Sequence, residues 1–237
     1  PNFWKVPIEG ITSQAYADKL APQIDRWRST PSEEIKAGKP QGYESDETTH
    51  FTVVDAEGNV VVNTYTLNFS FGSGIVAKGT GILLNNEMDD FSAKPGVPNM
   101  FGLIGAEANK IEPEKRMLSS MTPTIIEKNG KLHFVVGTPG GSTIITSVLQ
   151  VALNVMEYDM TATEAVQSPR FHHQWKPNLL MIERGAFADE VINNLENKGH
   201  EFNVRGNIGR VEAILIKSGG GLEAVADTRG DDHASGY

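Results

Sequence analysis

Three features of the 237-residue sequence predict an α+β architecture in which helices cover antiparallel sheet. β-branched runs flank acidic or Asn-Gly turns, apolar helical stretches lie between those runs, and no internal repeat is present. From the start, Tyr16, Leu20, Ile24 and Trp27 recur at helical spacing across residues 13–27, behind Thr12 and Ser13 as N-cap candidates. Pro22 falls where it would kink or divide that helix. Residues 29–45 hold Pro31, Gly38, Pro40 and Gly42 and supply no apolar face, which predicts an exposed linker.

The pattern changes at Thr48. Phe51, Val53 and Val54 lead to Ala56-Glu57-Gly58-Asn59 and then to the run 60–67, a strong hairpin signal. Residues 124–127 and 132–136 repeat the device around Asn129-Gly130. After Gly140 and Gly141, Ile144, Ile145, Val148, Leu149, Ala152 and Val155 leave little polar surface, so 144–156 is expected to be a buried helix capped by Ser142. Residues 164–167 and 188–198 read as further helices, and 211–216 with 222–225 as a closing hairpin around Gly219-Gly220-Gly221.

Composition excludes several functions. A net charge of -9 opposes a nucleic-acid surface, because phosphate binding requires clustered Lys and Arg, and Lys115-Arg116 is too short a cluster. No apolar run approaches the ~20 residues that span a bilayer. The chain begins at Pro1, so upstream residues, with any signal peptide, are expected to precede it. Zero cysteines exclude disulfides, thiolate metal sites and a cysteine nucleophile, and they fit an oxidising compartment.

A nucleophile must then be a hydroxyl, amine or carboxylate. In Glu44-Ser45-Asp46-Glu47-Thr48-Thr49-His50, local sequence favours Thr48 as an ordinary strand start. The sharper reading is self-cleavage: attack of the Thr48 hydroxyl on the preceding carbonyl would release an α-amine that serves as its own base. Asn85-Asn86-Glu87-Met88-Asp89-Asp90 reads locally as a solvated turn, and Ser119-Ser120 as a loop. His172-His173 is expected to be packed or on the surface rather than to bind metal, and Arg229-Gly230-Asp231 to be a polar turn.

Thr48-Thr49-His50-Phe51, Thr66-Leu67-Asn68, the run 84–92, Leu118-Ser119-Ser120-Met121 and Gly137-Thr138-Pro139-Gly140-Gly141-Ser142 together resemble, in order and spacing, the small subunit of gamma-glutamyltranspeptidases. The resemblance covers residues 48–237, while 1–47 resemble the tail of the large subunit. It implies the four-layer αββα sandwich of N-terminal nucleophile hydrolases, partly built by a large subunit, in a periplasmic or extracellular enzyme that needs no metal or organic cofactor. It implies cleavage between Glu47 and Thr48, and transfer of a γ-glutamyl group from glutathione or a related amide to water or an amino acid.

By the same resemblance Thr48 is the nucleophile, Thr66 supports it, and Asn68, Glu87 and Asp90 bind the donor's α-amino group. Charge-assisted hydrogen bonds suit carboxylates to that task. Ser119 and Ser120 match residues that bind the donor carboxylate. Gly140 and Gly141 match the oxyanion hole, which successive N–H groups before a helix can form. Phe101 stands in the 95–101 loop where several relatives carry a lid tyrosine, and Thr138 replaces a usual serine. The arginine that pairs with the donor carboxylate belongs to the large subunit, so this chain alone is expected to bind donor poorly.

Two alternatives compete. A cephalosporin acylase-like amidase or a poly-γ-glutamate hydrolase would share the nucleophile and differ in the donor pocket. A phosphate-binding module would use the glycines at 137–141, but Ser142 and Thr143 stand where a P-loop has its second glycine and its lysine.

Overall fold

The computed structural model describes residues 8–35, 47–97 and 104–236. Helices α1 (Ile8–Ile11) and α2 (Gln14–Leu20) open the chain, and the Ser13 hydroxyl accepts a hydrogen bond from the Tyr16 N–H to cap α2. Pro22 divides the expected helix: α2 ends at Leu20, a single 3-10 turn follows, and Trp27 lies outside both. The described part of the linker is not wholly exposed. Ser32 is buried, its hydroxyl donating to Asn178 Oδ1 at 2.8 Å while its carbonyl accepts from the Trp175 indole at 2.8 Å.

β1 (Glu47–Val54) and β2 (Val60–Asn68) form the expected hairpin, closed by Asp55, whose carboxylate holds the N–H and the amide of Asn59. That bonding is what holds the Asp55 carboxyl below its ordinary range. β3 (Thr124–Lys128) and β4 (Lys131–Gly137) are the second hairpin, β8 (Glu212–Ile216) and β9 (Leu222–Val225) the third, and they join in the order β3-β4-β8-β9. Helix α3 (Thr143–Tyr158) crosses one face of this sheet, followed by α4 (Ala162–Gln167), whose Thr161 and Glu164 make a reciprocal capping box. Helix α5 (Asp189–Asn197) matches the helix expected at 188–198.

Alternation along β4 and β8 assigns the two faces of the sheet. Phe134, Val136 and Ala213 enter the core with Ile144, Val148, Val151 and Val155 of α3 and Ala165 and Val166 of α4. Val135 and Ile214, also buried, point the other way, where β1 and β2 stack on β4 and β8. The result is a helix layer, a four-stranded sheet and a second, two-stranded sheet. The fold is α+β, as expected.

Two features depart from the sequence reading. β5 (Phe171–His172), β6 (Leu180–Glu183) and β7 (Phe202–Arg205) form a further sheet in which β6 and β7 run parallel. Helix α3 is not buried all round, since Ile145, Leu149 and Met156 make an exposed apolar stripe along it.

The contact between the stacked sheets is specific. The His50 ring lies against the α-carbon of Gly137, where a methyl group would come within 1.9 Å of it. Gly137→Ala is therefore expected to cost about 3 kcal/mol, the upper range for overpacking, and His50→Ala in the same molecule to reverse part of the loss. Urea unfolding of the two single variants and the double variant measures this coupling; strictly additive losses would show that ring and glycine do not constrain one another.

Candidate active site

Thr48 is half-buried in a β-bulge: β1 pairs Glu47 with Asn68 and Thr49 with Tyr65, so Thr48 lies opposite the Thr66-Leu67 step out of regular register. Next on β1, His50 faces its partner Thr64, and Nδ1 lies 2.7 Å from the Thr64 hydroxyl. Burial pushes the imidazole down to about 4, so the ring is neutral near pH 7.

The end of β2 is tightly tied. The Thr66 hydroxyl accepts from the Asn68 N–H at 2.8 Å, Asn68 takes a positive φ of 75°, and its amide donates to the Asn86 carbonyl at 3.2 Å. Asn86 returns the link by accepting from the Phe69 N–H at 3.1 Å. Asn68 is fully buried, yet its Oδ1 has no hydrogen-bond partner among the described residues. A buried carbonyl oxygen without a donor is an acceptor site for an N–H or ammonium group.

Glu87 and Asp90 lie in the 3-10 turn (Glu87–Asp90) immediately after this tie, and burial raises the Glu87 carboxyl above its ordinary range. Asn109 brings the Ser119-Ser120 loop to the same place, donating to the Asp90 carbonyl at 2.7 Å and accepting from the Leu118 N–H at 3.0 Å. Ser120 is buried, whereas Ser119 is exposed and its hydroxyl accepts from the Met121 N–H at 3.2 Å. Phe101 lies outside the described residues; of its loop, Gly96 donates to the Gly105 carbonyl at 2.8 Å.

The glycine loop leaves β4 just past the His50 contact. Gly140 and Gly141 adopt φ of 136° and 57°, and a methyl on Gly140 would meet the Thr143 hydroxyl at 2.7 Å and the Gly209 α-carbon at 3.3 Å. Their carbonyls accept from Thr143 and Ile144 as α3 starts, while neither of their N–H groups donates to a described residue. Thr138 is buried and its hydroxyl accepts from the Arg210 N–H at 2.8 Å, so the change from serine keeps a working hydroxyl. Ser142 is not the expected cap. It has helical dihedrals and makes no capping bond; its hydroxyl donates to Gln174 Oε1 at 2.8 Å.

Behind the loop, a buried ion network holds the 208–211 segment. Asp227 bonds Arg170 at 2.7 Å, Arg229 at 3.0 Å and the Val211 N–H at 2.9 Å, and Glu183 bonds Arg229 through both oxygens and accepts the Ile208 and Arg170 N–H groups. Burial alone would raise both carboxyls, but these cations and N–H groups outweigh it and hold them below the ordinary range. Arg229 is thus part of a buried cluster, not of a solvated polar turn. His172 is packed, as expected, and no group of three or more His, Asp or Glu suited to a metal occurs among the described residues.

Glu212, paired with Gly137 across β4 and β8, departs from its neighbours. Burial, and then the nearby Asp232 carboxylate, push its carboxyl up to about 8, and its Oε2 is buried without a hydrogen-bond partner among the described residues. Neither Glu212 nor Asn109 carries any motif in the sequence; strand register and loop closure reveal them.

Chains of known structure share this fold. The crystal structure of the Helicobacter pylori gamma-glutamyltranspeptidase T380A mutant is 50% identical with a TM-score of 0.75, over 77% of this chain and 100% of that one. The Pseudomonas nitroreducens gamma-glutamyltranspeptidase complexed with L-DON is 46% identical with a TM-score of 0.75, over 80% of this chain and 99% of that one. A cephalosporin acylase from Bacillus halodurans, at 24% identity and a TM-score of 0.81 over 98% of this chain and 40% of that one, shares the fold. The fold is that of the N-terminal nucleophile hydrolases. Within that class, the gamma-glutamyltranspeptidase family model matches residues 1–237, and the glutathione hydrolase proenzyme of Escherichia coli strain K12 is 50% identical over 100% of this chain and 41% of its own length. The chain belongs to the gamma-glutamyltranspeptidase family and spans about two fifths of the length of curated relatives from Escherichia coli and Pseudomonas aeruginosa.

Glu212 supplies a pH test of the site's electrostatics. With a folded value near 8 and an unfolded value near the ordinary ~4.3, its contribution is fully present below ~4.3 and is lost as pH rises toward 8. Glu212→Gln is expected to gain stability relative to wild type between pH 5 and pH 8, read from urea midpoints; a constant difference across that range would mean that Glu212 is ionised in the folded protein.

Proposed function

We propose that residues 48–237 are the catalytic subunit of a γ-glutamyltransferase and glutathione hydrolase, released when the Glu47–Thr48 bond is cut, and that residues 1–47 become the tail of the large subunit. One observation carries the proposal: His50 seated on Gly137 sets the strand bearing Thr48 across the end of β4, where the loop with two unengaged N–H groups begins. The solved relative from P. nitroreducens adds support, because its chain is matched almost in full by 80% of this one, the share that residues 48–237 occupy. Relatives named as proenzymes fit a precursor that is cut.

In maturation the Thr48 hydroxyl oxygen attacks the Glu47 carbonyl carbon, the C–N bond breaks, and an ester forms. Water hydrolyses that ester, leaving a Glu47 carboxylate and a free Thr48 α-amine. In turnover this amine takes the hydroxyl proton as the oxygen attacks the γ-amide carbon of the donor. Negative charge builds on the carbonyl oxygen, and the N–H groups of Gly140 and Gly141 receive it. The amine product leaves with the proton, and water or an amino-acid amine then takes the γ-glutamyl group from Thr48.

Thr66 supports the nucleophile from the neighbouring strand. Asn68 Oδ1, Glu87 and Asp90 bind the donor's α-ammonium, and Ser119 and Ser120 its carboxylate together with an arginine of the large subunit. That subunit would cover Phe51, Val53, Val61 and Tyr65 on the outer face of β1 and β2, all exposed here. Phe101 takes the lid position, and export to the periplasm or medium belongs to the same reading.

The test uses the chain joined to the upstream segment that its relatives carry. Thr48→Ala is expected to leave an uncut precursor by intact mass and to lower γ-glutamyl anilide hydrolysis to background; undiminished turnover would overturn the proposal. The unsubstituted enzyme is expected to prefer γ-glutamyl over glutaryl anilide, because only the former has the ammonium that Asn68, Glu87 and Asp90 would bind. A glutaryl preference would favour the acylase-like reading.

A further inference from the structure

We infer that Gln174 is a positioning residue for the oxyanion loop, acting through Ser142 and itself set by His172; this rests on the reading of Gly140 and Gly141 given above. Gln174 Oε1 lies 2.8 Å from the Ser142 hydroxyl and 3.0 Å from His172 Nε2, while its Nε2 donates to the Lys176 carbonyl at 3.1 Å. That last bond fixes which end of the amide is oxygen. The oxygen has two lone pairs, and Ser142 and His172 fill both.

The imidazole donates from Nε2 to this oxygen, and its Nδ1 lies 2.8 Å from the Thr146 hydroxyl on the first turns of α3, a hydroxyl that also donates to the Thr143 carbonyl at 3.1 Å. His172 is buried, and burial is the leading cause that holds it below its ordinary range, only partly opposed by Gln174. Gln150, one turn further along α3, ties the same helix to β5 by exchanging two bonds with the Phe171 backbone, accepting at 3.1 Å and donating at 2.8 Å. The loop carrying Gln174 is anchored from its far side as well, where the Trp175 indole donates to the Ser32 carbonyl at 2.8 Å.

Ser142 directly follows Gly141, and with no capping bond its hydroxyl is committed to Gln174. Thr138 and Arg210 fix the loop before the glycines, and Gln174 fixes it after them. Two N–H groups that donate to no described residue, on residues with positive φ, would otherwise reorient easily. An oxyanion donor acts only at the developing charge, so loosening this anchor should lower turnover and leave donor binding unchanged.

The experiment compares Gln174→Ala, Ser142→Ala, the double variant and Gln174→Glu in the processed, two-subunit enzyme. Active sites are counted by the burst of released amine, so misfolded protein is excluded. Gln174→Ala is expected to lower kcat by roughly tenfold or more, less than the ~100-fold or greater loss for deleting a donor itself, with KM within twofold. Ser142→Ala should match it, the double variant should be no worse than either single one, and Gln174→Glu, which keeps the acceptor, should restore most of kcat. Unchanged kcat in Gln174→Ala, multiplicative losses in the double variant, or a loss confined to KM would each overturn the inference. Thr48→Ala in the same series separates the outcomes: if it is inactive while Gln174→Ala is fully active, the positioning role fails and the nucleophile assignment stands.

Discussion

Everything at the candidate site depends on one contact between two sheets, the His50 ring against a residue without a β-carbon at Gly137. The strand bearing Thr48 and the loop bearing Gly140 and Gly141 belong to different sheets, so neither hydrogen-bond ladder fixes the distance between them. A planar ring on a bare α-carbon does fix it, because both are rigid and the approach leaves no room for even a methyl group. The ring suits the place only when neutral. A charged imidazole there would be buried with the Thr64 and Thr52 hydroxyls beside it, and burial, which lowers its pKa, expresses that cost.

The ion network around Asp227 and Glu183 does a different job. Buried ion pairs gain little net stability, since desolvation offsets most of the attraction. These carboxylates, however, also accept backbone N–H groups of Ile208, Val211 and Arg170, and the arginines donate to the carbonyls of Val166, Ser168 and Ile208. Charge is used here to give irregular backbone a single conformation. Gly209, in the segment so held, lies against Gly140, so the shape of the glycine loop is imposed from a cluster reaching into β6 and the C-terminal segment.

What the sequence made legible follows from periodicity. The three hairpins show themselves through alternating β-branched residues around turn residues, and α3 to α5 through apolar spacing. β5, β6 and β7 are too short for alternation to register, and the parallel partner of β6 lies beyond a helix, so no turn joins them as a hairpin. The candidate residues Thr48, Thr66, Asn68, Glu87, Asp90, Ser119, Ser120, Gly140 and Gly141 stand out by family pattern. Their supports do not, because Gln174, Arg170 and Asp227 act across tens of residues, Asn109 acts across 9 and 19, and none carries a local signature. Ser142 was misread for the same reason: a serine before a helix is ordinarily its cap, and only the tertiary partner at Gln174 outbids that local bond.

The electrostatic layout also bears on which amide the site would accept. Asn68 Oδ1 is buried with an unused lone pair, and the Glu87 carboxyl is held above its ordinary range by burial, so both would gain from an ammonium. A donor bringing that charge would relieve both groups on binding, and its attraction would draw the Glu87 carboxyl back toward its ordinary range. The proposed reaction would develop the opposite charge, on an oxygen facing N–H groups at the head of a sixteen-residue helix. On the proposed reading, acceptors on the β2 side and donors on the α3 side would let one rigid molecule hold the substrate by its cation while reserving its donors for the transition state. In a neutral or glutaryl amide the first half of that division has nothing to engage, and Asn68 would keep an unsatisfied buried oxygen in the complex.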